Sequence, residues 1–160
     1  MTQVYISVGS NQQPRDNVAK ALDALSAEFS PIELSPIYES VAVGFDGDNF
    51  INLVVGFNTE HSLQEIDRIL NEIEKSCGRN RGEERFSSRT MDLDLLIYGD
   101  LVCHDEHWDI PRREITHNAF VLKPLAELAP DSLHPELGGS FLQLWQQADF
   151  TDQDLWKVEL

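Results

Sequence analysis

The chain has 160 residues, of which 41% are hydrophobic and 25% charged, values typical of one globular domain spanning residues 1–160. Its 28 aspartate and glutamate residues outnumber 12 lysine and arginine residues, and the formal net charge of −16 disfavours nucleic acids and anionic membranes as partners. No apolar run approaches the roughly 20 residues that a membrane-spanning helix needs.

The N-terminal segment predicts a strand followed by a helix. Val4, Ile6 and Val8 alternate with other residues at the period of a strand, and Gly9 begins the turn that ends it. A helix is predicted over 14–28, because its opening proline suits a first helical position and apolar residues then recur at helical spacing.

Two further strands are predicted after this helix. Residues 32–38 alternate in polarity, and we expect this strand at a sheet edge because Pro36 has no N–H to donate. Residues 50–58 form a more apolar strand. The intervening residues 40–49 contain two glycines and predict a loop that is long enough to move and to fold over a ligand.

The second helix has the clearest signals in the chain. Ser62 and Glu65 predict a capping box at its start, and Gly78 predicts its end. A polar loop over 79–90 follows, and alternation over 91–98 then predicts a fourth strand.

The predicted order is strand, helix, strand, strand, helix, strand, which is the signature of a ferredoxin-like fold. Apolar spacing predicts two more helices, at about 119–129 and 141–147. We therefore expect an α+β fold with a ferredoxin-like βαββαβ core, an antiparallel sheet and additional C-terminal helices.

An acidic pair lies on the fourth predicted strand. Asp92 and Asp94 are two residues apart, so both carboxylates point to one face while Met91, Leu93 and Leu95 point to the core. Mg²⁺ that accompanies a nucleotide prefers such oxygen ligands, completed by water and phosphate. The alternative is a solvated strand face whose aspartates pair with nearby arginines.

A basic cluster precedes this pair, although the chain as a whole is acidic. Four of the eight arginines stand within eleven residues, at Arg79, Arg81, Arg85 and Arg89. Guanidinium groups bind phosphate oxygens with two parallel hydrogen bonds, so this cluster next to two carboxylates indicates a polyphosphate and metal site. Alternatively, the arginines only balance neighbouring acidic residues in a surface network.

Residues 78–95, Gly-Arg-x-Arg-x-x-x-Arg-Phe-x-x-Arg-Thr-x-Asp-Leu-Asp-Leu, resemble the signature of the 6-hydroxymethyl-7,8-dihydropterin pyrophosphokinase family. Tyr-x-x-x-Gly-Ser-Asn at 5–11, Phe-Ile-Asn at 50–52 and the segment 120–130 extend the resemblance along the chain. The resemblance implies a ferredoxin-like core. It also implies transfer of pyrophosphate from ATP to the hydroxymethyl group of 6-hydroxymethyl-7,8-dihydropterin, giving AMP, in folate biosynthesis.

The same resemblance assigns residues to ATP and Mg²⁺. It implies that Asp92 and Asp94 hold two Mg²⁺ ions that bridge the ATP phosphates, and that the backbone of Leu95 contacts adenine. The other side chains that it places in the catalytic or ATP-binding site are Glu74, Arg79, Arg81, Arg85, Arg89 and Arg112.

For the pterin, the resemblance implies a sandwich of the flat ring between Phe50 and Phe120. It implies that the amide of Asn52 recognises the ring edge, and that Ser40 and Val43 line the same pocket. Without the resemblance, the residue types favour the interpretation of the two aromatic residues as core residues and of the asparagine as a polar residue at a strand edge.

Five departures from the family pattern concern the same site. Arg112 replaces a histidine, Asn118 an arginine, Asp109 a threonine and Phe86 a tryptophan, while Val-Ala at 41–42 replaces a pair similar to Pro-Pro. These changes leave the two aspartates in place. They motivate an alternative function, that of a divergent relative that binds nucleotide or pterin without transferring pyrophosphate.

Two other interpretations stay open. His104 and His107 have a His-x-x-His spacing that could hold a transition metal, although no third ligand is evident. The chain could also be an acidic structural domain whose charged residues form only ion pairs.

Localisation and assembly follow from simpler signals. Cys77 and Cys103 are too few for a disulfide framework, and the first residues lack the pattern of a secretion signal. We therefore expect a cytoplasmic protein that binds small molecules and acts as a monomer.

Overall fold

The computed structural model of the chain describes residues 1–41, 48–78 and 91–160. Its strands are β1 (Thr2–Ser10), β2 (Glu33–Leu34), β3 (Ile37–Ser40), β4 (Phe50–Thr59), β5 (Asp92–Tyr98), β6 (Cys103–His104), β7 (Asp109–Ile110) and β8 (Leu155–Val158). Its helices are α1 (Pro14–Phe29), α2 (Leu63–Ser76), α3 (Ala119–Leu128) and α4 (Phe141–Gln147), with a 3₁₀ turn at Arg113–Thr116.

Six strands form one antiparallel sheet in the order β5-β1-β4-β3-β8, with β2 paired to β4 beside β3. Strands β1, β3, β4 and β5 are the four strands of the expected βαββαβ core. Their spatial order of fourth, first, third and second confirms the ferredoxin-like prediction. Strands β6 and β7 form a separate hairpin.

The prediction of an edge strand over 32–38 was wrong for its second part, whereas the first part, β2, pairs with β4 alone among the described residues. This segment is divided into β2 and β3, and β3 lies between β4 and β8. Pro36 falls in the gap, where its missing N–H disturbs no ladder. Ser35 bridges the gap, because its N–H donates to Val54 O at 2.9 Å and its Oγ accepts from Val54 N at 2.8 Å.

Helices cover both faces of the sheet. On one face, α1 and α2 pack against buried residues of β1, β4 and β5, including Val4, Ile6, Leu53, Val55 and Leu93. On the opposite face, α3 and α4 pack over a cluster that includes Tyr5, Val54, Leu96 and Ile97.

The caps of α2 follow the sequence prediction. Ser62 Oγ accepts from Glu65 N at 3.2 Å, and Glu65 Oε1 accepts from Ser62 N at 2.9 Å, so both bonds of the capping box are present. Gly78 after the helix has φ of 88°, which suits glycine. No helix in the described ranges is both long and apolar enough to cross a membrane.

The strict alternation predicted along β5 was wrong at its C-terminal end. Tyr5 pairs with Ile97 and Ile6 with Leu95, so Leu96 is an extra residue on β5. Because of this irregularity, Leu96 and Ile97 both belong to the cluster under α3 and α4. The alternation had placed Ile97 on the same face as Leu95.

Candidate functional site

One row of residues crosses three strands at the end of the sheet. Gly9 on β1 pairs with Asn52 on β4 and with Asp92 on β5. Residues paired directly across an antiparallel ladder have their side chains on the same face, so Asn52 and Asp92 share a face with only a glycine between them. Their backbones are two strand spacings apart, or about 10 Å. The amide and the carboxylate therefore flank one shallow floor.

The next row places the second aspartate on this face. Ser7 pairs with both Val54 and Asp94, so Asp94 and Asp92 lie on the same side of β5. The side chain of Asp94 is 30% exposed, whereas Leu93 between the two aspartates is buried under α2. The prediction that both carboxylates point away from the core is confirmed.

A side chain at Gly9 would crowd the amide of Asn52. A Cβ added at Gly9 would lie 3.0 Å from Asn52 Oδ1 and 4.0 Å from Phe50 Cδ1. The amide oxygen of Asn52 therefore faces the bare backbone of β1. The sequence predicted that Gly9 begins the turn after the first strand, which was wrong, because Gly9 is paired within β1 on both sides. Only the strand register reveals its position between Asn52 and Asp92.

The expected pterin-binding residues Ser40 and Asn52 are joined by a hydrogen bond. Asn52 Nδ2 donates to Ser40 Oγ at 2.7 Å, and both residues are buried, with exposures of 5% and 4%. This bond orients the amide and leaves its oxygen on the Gly9 side. Phe50 is half-buried and pairs with Ser40 across β3 and β4.

Phe120 lies in the first turn of α3 and lines a pocket of about 390 Å³ together with Ser40. The volume is within the usual range for small-molecule sites. Ser40 therefore links the predicted pterin residues that the structure describes, because it is bonded to Asn52, paired with Phe50 and lines a pocket with Phe120. Asn118, which stands where the family pattern has arginine, precedes α3 and lines the same pocket.

Glu74 holds β5 from the opposite side. Its side chain is 2% exposed, and Oε2 accepts a hydrogen bond of 3.0 Å from Leu93 N. Among the described residues, β5 pairs with β1 only, so this carboxylate binds the strand at its other edge. In an antiparallel strand, the backbone N–H and C=O groups of alternate residues point to the same edge. Leu93 and Leu95 therefore both direct these groups to the edge of β5 that Glu74 binds.

A cleft of about 200 Å³ lies along this edge. The last two turns of α2 form one wall, and the hairpin of β6 and β7 forms the other. The residues expected to contact ATP that line it are Glu74, Leu95 and Arg112. Asp94 lines the same cleft, so the acidic pair and the cleft form a continuous site.

Arg112 connects the cleft to the aspartates. Its Nη2 lies 3.6 Å from Asp94 Oδ1, its Nε donates to Glu114 Oε2 at 3.1 Å, and its backbone N–H donates to Leu96 O at 2.9 Å. Burial lowers the pKa of this guanidinium, but the charges of Asp94 and Glu114 outweigh that effect, so its pKa is raised. Arg112 is a permanent cation beside Asp94.

The negative charge of Asp109 in the cleft is compensated. Its Oδ1 lies 2.7 Å from His104 Nδ1, and its Oδ2 accepts from Arg113 N at 3.2 Å. His104 Nε2 lies 2.9 Å from Glu136 Oε1, so both ring nitrogens face carboxylate oxygens. Ionised carboxylates only accept hydrogen bonds, and this arrangement therefore requires a doubly protonated, positively charged His104. The residue spacing in the sequence does not predict this ion pair.

The His-x-x-His interpretation gains no support from this geometry. Both ring nitrogens of His104 are engaged by carboxylates, and His107 is exposed at the cleft. Within residues 1–41, 48–78 and 91–160, no group of three or more His, Cys, Asp or Glu side chains is arranged to hold a metal ion.

Asp92 and Asp94 nevertheless fit Mg²⁺. Magnesium in nucleotide sites takes one or two carboxylates and completes its shell with water and phosphate oxygens, so a third protein ligand is not required. The two carboxylates lie on one partly exposed face beside the cleft. Several predicted site residues lie outside the described residues and their placement stays a prediction: Val43, Arg79, Arg81, Arg85 and Arg89.

Comparisons with known proteins agree on one family. A model of the 7,8-dihydro-6-hydroxymethylpterin-pyrophosphokinase (HPPK) family matches residues 5–130. A 2-amino-4-hydroxy-6-hydroxymethyldihydropteridine pyrophosphokinase of Pseudomonas aeruginosa is 36% identical over 143 residues, covering 84% of this chain and 85% of the relative. A Synechocystis protein of the same name is 36% identical over 149 residues, covering 91% of this chain and 76% of the relative.

Solved structures of low sequence identity share the fold. The crystal structure of wild-type Plasmodium falciparum HPPK-DHPS with SDX-DHP has a TM-score of 0.70 at 13% identity. The match covers 92% of this chain but only 43% of that longer chain. The extent of the family match and the identity to its named members lead to one conclusion: the chain belongs to the 7,8-dihydro-6-hydroxymethylpterin-pyrophosphokinase family.

Proposed function

We propose that this protein transfers pyrophosphate from ATP to the hydroxymethyl group of 6-hydroxymethyl-7,8-dihydropterin, with AMP as the second product. The row of Asn52, Gly9 and Asp92 carries this proposal. It places a buried amide suited to a heterocyclic edge and a carboxylate suited to a metal–phosphate group on one floor, about 10 Å apart.

The reaction is an in-line displacement at the β-phosphorus of ATP. The pterin hydroxymethyl oxygen forms a bond to that phosphorus, the bond to the oxygen bridging the α- and β-phosphorus breaks, and AMP departs with that oxygen. The hydroxyl proton is released. Little covalent chemistry is required of the protein, so catalysis rests on positioning and on electrostatic stabilisation of the phosphoryl oxygens.

Asp92 and Asp94 are the proposed ligands for two Mg²⁺ ions. The chemistry that magnesium would supply there is neutralisation of the phosphate charge. The two side chains supply this function together because the ladder with β1 keeps them on one face. The ladder and Glu74 bind opposite edges of β5, so the carboxylates are held by a strand that is anchored on both sides.

ATP is proposed to place its adenine in the cleft beside Leu95 and Glu74, with its phosphates toward Arg112 and the aspartates. The peptide groups of β5 at this edge provide the donor and acceptor that an adenine edge requires. The arginines proposed to bind the phosphates or shape the phosphate site are Arg79, Arg81, Arg85 and Arg89. They precede Asp92 directly in the sequence.

The pterin is proposed to lie on the Gly9 floor with the Asn52 amide at its edge. Phe50 and Phe120 would stack on the ring, which adds about 0.5–1.5 kcal/mol beyond burial and aligns the hydroxymethyl group. Ser40 and Val43 are proposed to contact the pterin in the same pocket. Ser40 already orients Asn52 by the hydrogen bond between their side chains.

A direct assay of AMP formation tests this function. The purified protein is incubated with ATP, Mg²⁺ and 6-hydroxymethyl-7,8-dihydropterin, and AMP is followed by chromatography. We expect AMP formation that requires the pterin and falls at least about 100-fold in Asp94→Asn, a loss typical of removing one electrostatic catalytic group. Asp100→Asn, an exposed aspartate in the turn after β5, is the control and should retain full activity. Equal activity of Asp94→Asn and wild type would contradict the proposed metal site.

A second candidate function is binding without transfer. The guanidinium of Arg112, 3.6 Å from Asp94, already compensates part of the charge that a metal would need. A single-turnover experiment with enzyme in excess over ATP separates the candidates. AMP formation within one turnover supports the transferase, whereas binding of nucleotide and pterin without AMP supports the binding protein.

A further inference from the structure

The C-terminal segment of the chain contacts two sides of the proposed pterin pocket. Strand β8 pairs with β3, and Leu155 lies opposite Ser40 in that ladder. The first residue of β8, Leu155, lines the same 390 Å³ pocket as Ser40 and Phe120. The three residues that precede β8 also line this pocket: Asp152, Gln153 and Asp154. This segment lies outside residues 5–130, which match the family.

Gln153 binds the start of α3 through both ends of its side-chain amide. Its Oε1 accepts from Ala119 N at 2.8 Å, and its Nε2 donates to His117 O at 2.9 Å. The two contacted backbone groups flank Asn118, whose own side chain makes no capping hydrogen bond to the helix. Gln153 therefore satisfies the N–H of the first residue of α3, one of the donors at a helix start that have no partner within the helix.

This cap lies one residue from a proposed pterin-stacking ring. Ala119 is the first residue of α3 and Phe120 is the second. Stacking depends on the distance and tilt between ring planes, so a small rotation of the first helical turn changes the fit of Phe120 to a flat ligand. The peptide groups on either side of Asn118 are the ones that such a rotation would move.

Gln153 is itself held in place. Its N–H donates to Phe150 O at 2.9 Å, and β8 begins two residues later at Leu155, paired with β3. The amide thus connects α3 to the sheet through a short segment that is anchored at both ends. Ser40 and Phe120, on different walls of the pocket, are linked through this segment.

We infer that Gln153 is a positioning residue for the pterin, acting through the first turn of α3 on Phe120. The inference rests on the proposed function, since it concerns the affinity of that pocket. If Gln153 has only a structural role, its substitution should lower stability without discriminating between the two substrates. If Gln153 positions the pterin, its substitution should weaken pterin binding and leave nucleotide binding unchanged.

The test compares three variants of the full chain in binary complexes. Gln153→Ala removes both hydrogen bonds, and Gln153→Glu retains an acceptor for Ala119 N but cannot donate to His117 O. Gln146→Ala, an exposed residue of α4, is the matched control. Dissociation constants for 6-hydroxymethylpterin and, separately, for a non-hydrolysable ATP analogue with Mg²⁺ are measured by calorimetry, and folding is checked by thermal unfolding.

We expect Gln153→Ala to weaken pterin binding about fivefold to tenfold, Gln153→Glu to show a smaller loss, and the control to match wild type. Nucleotide affinity should change less than twofold in all three variants. Unchanged pterin affinity in a folded Gln153→Ala protein would overturn the inference, as would equal weakening of both ligands. If Gln153→Ala does not fold, the same comparison applies to Gln153→Glu. If wild type binds no pterin, either alone or with the ATP analogue and Mg²⁺ present, the proposed function fails.

Discussion

The buried carboxylate of Glu74 accepts a hydrogen bond of 3.0 Å from the backbone N–H of Leu93, the residue between the two aspartates of the site. Helix α2 thereby holds the strand that carries the proposed metal ligands. The resemblance to the family had assigned Glu74 to the nucleotide. The geometry adds a second role for Glu74, which is to accept a hydrogen bond at a strand edge that is paired with no other strand among the described residues.

Removing this carboxylate should destabilise the protein and weaken ATP binding. In Glu74→Ala a buried N–H loses its acceptor, which costs about 1–3 kcal/mol. Glu74→Gln keeps an acceptor oxygen and should retain more stability. Urea unfolding and the KM for ATP measure both effects. Glu72→Ala, on the exposed face of the same helix, is the control, and a Glu74→Ala protein as stable as that control would contradict the role.

Gly9→Ala should impair pterin binding specifically. The new Cβ would lie 3.0 Å from Asn52 Oδ1, and the amide cannot rotate freely because Ser40 accepts from its Nδ2. A disturbed hydrogen bond of this kind costs about 0.5–1.5 kcal/mol, or roughly twofold to tenfold in the KM for pterin. The KM for ATP should be unchanged.

Gly139→Ala is the matched control for this substitution. Its nearest neighbours would be 3.7 Å from the added Cβ, which is ordinary van der Waals contact. Steady-state kinetics with each substrate varied in turn distinguish the two variants. A parallel rise in both KM values for Gly9→Ala would indicate a general distortion of the sheet and would contradict the specific clash.

Replacing Arg112 should change metal and nucleotide binding in opposite directions. Its guanidinium lies 3.6 Å from Asp94 Oδ1 and competes electrostatically with a cation there. Two unit charges at this distance interact by about 1 kcal/mol in water, so Arg112→Gln should bind Mn²⁺ roughly fivefold more tightly without nucleotide. The same variant should bind ATP about fivefold more weakly, because a phosphate-binding cation is lost.

Electron paramagnetic resonance of Mn²⁺ and calorimetry with an ATP analogue provide the two measurements. Arg113→Gln is the control, since this neighbouring arginine is exposed and pairs with Asp109 rather than Asp94. A loss of both affinities in Arg112→Gln would show that the residue stabilises the site as a whole. That result would exclude competition with the cation.

The ion pairs of His104 should make stability depend on pH. Hydrogen bonds with Glu136, and then with Asp109, raise the pKa of His104 in the folded protein. A raised folded-state pKa means that the stabilisation is fully present below the unfolded pKa of about 6.5. It is lost as pH rises through the folded-state value.

His104→Gln measures this contribution. The difference in unfolding free energy between wild type and the variant should be largest near pH 6 and should shrink above neutral pH. The comparison cancels the opposite effect of His134, whose pKa is lowered by burial. Urea titrations across this range provide the data, and a difference that grows with pH would contradict the assignment of a charged His104.

Local signals in the sequence were sufficient for most elements. Ser62 and Glu65 predicted the start of α2, and the structure contains both hydrogen bonds of that capping box. The alternation of Asp92 and Asp94 with apolar residues predicted one exposed acidic face, which the pairing with β1 confirms. These predictions succeeded because caps and strand periods depend on residues within a few positions of each other.

Other features depended on partners that are distant in the sequence. The segment containing Pro36 was expected at an edge, but β8 joins the sheet beside β3 from more than 110 residues further along the chain. The alternation along β5 also failed at Ile97, because the register with β1 shifts between Tyr5 and Ile6. Periodicity within one strand does not reveal its partner.

The sequence by itself determined the family pattern, the element order and the acidic face of β5, since each is encoded in residue type and spacing along the chain. Only the tertiary structure decided which residues meet. The opposition of Asn52 and Asp92 across Gly9, the contact of Glu74 with Leu93 and the cap of Gln153 on α3 all join separate elements. Their physical basis is strand register and helix packing, which depend on the chain folded as a whole.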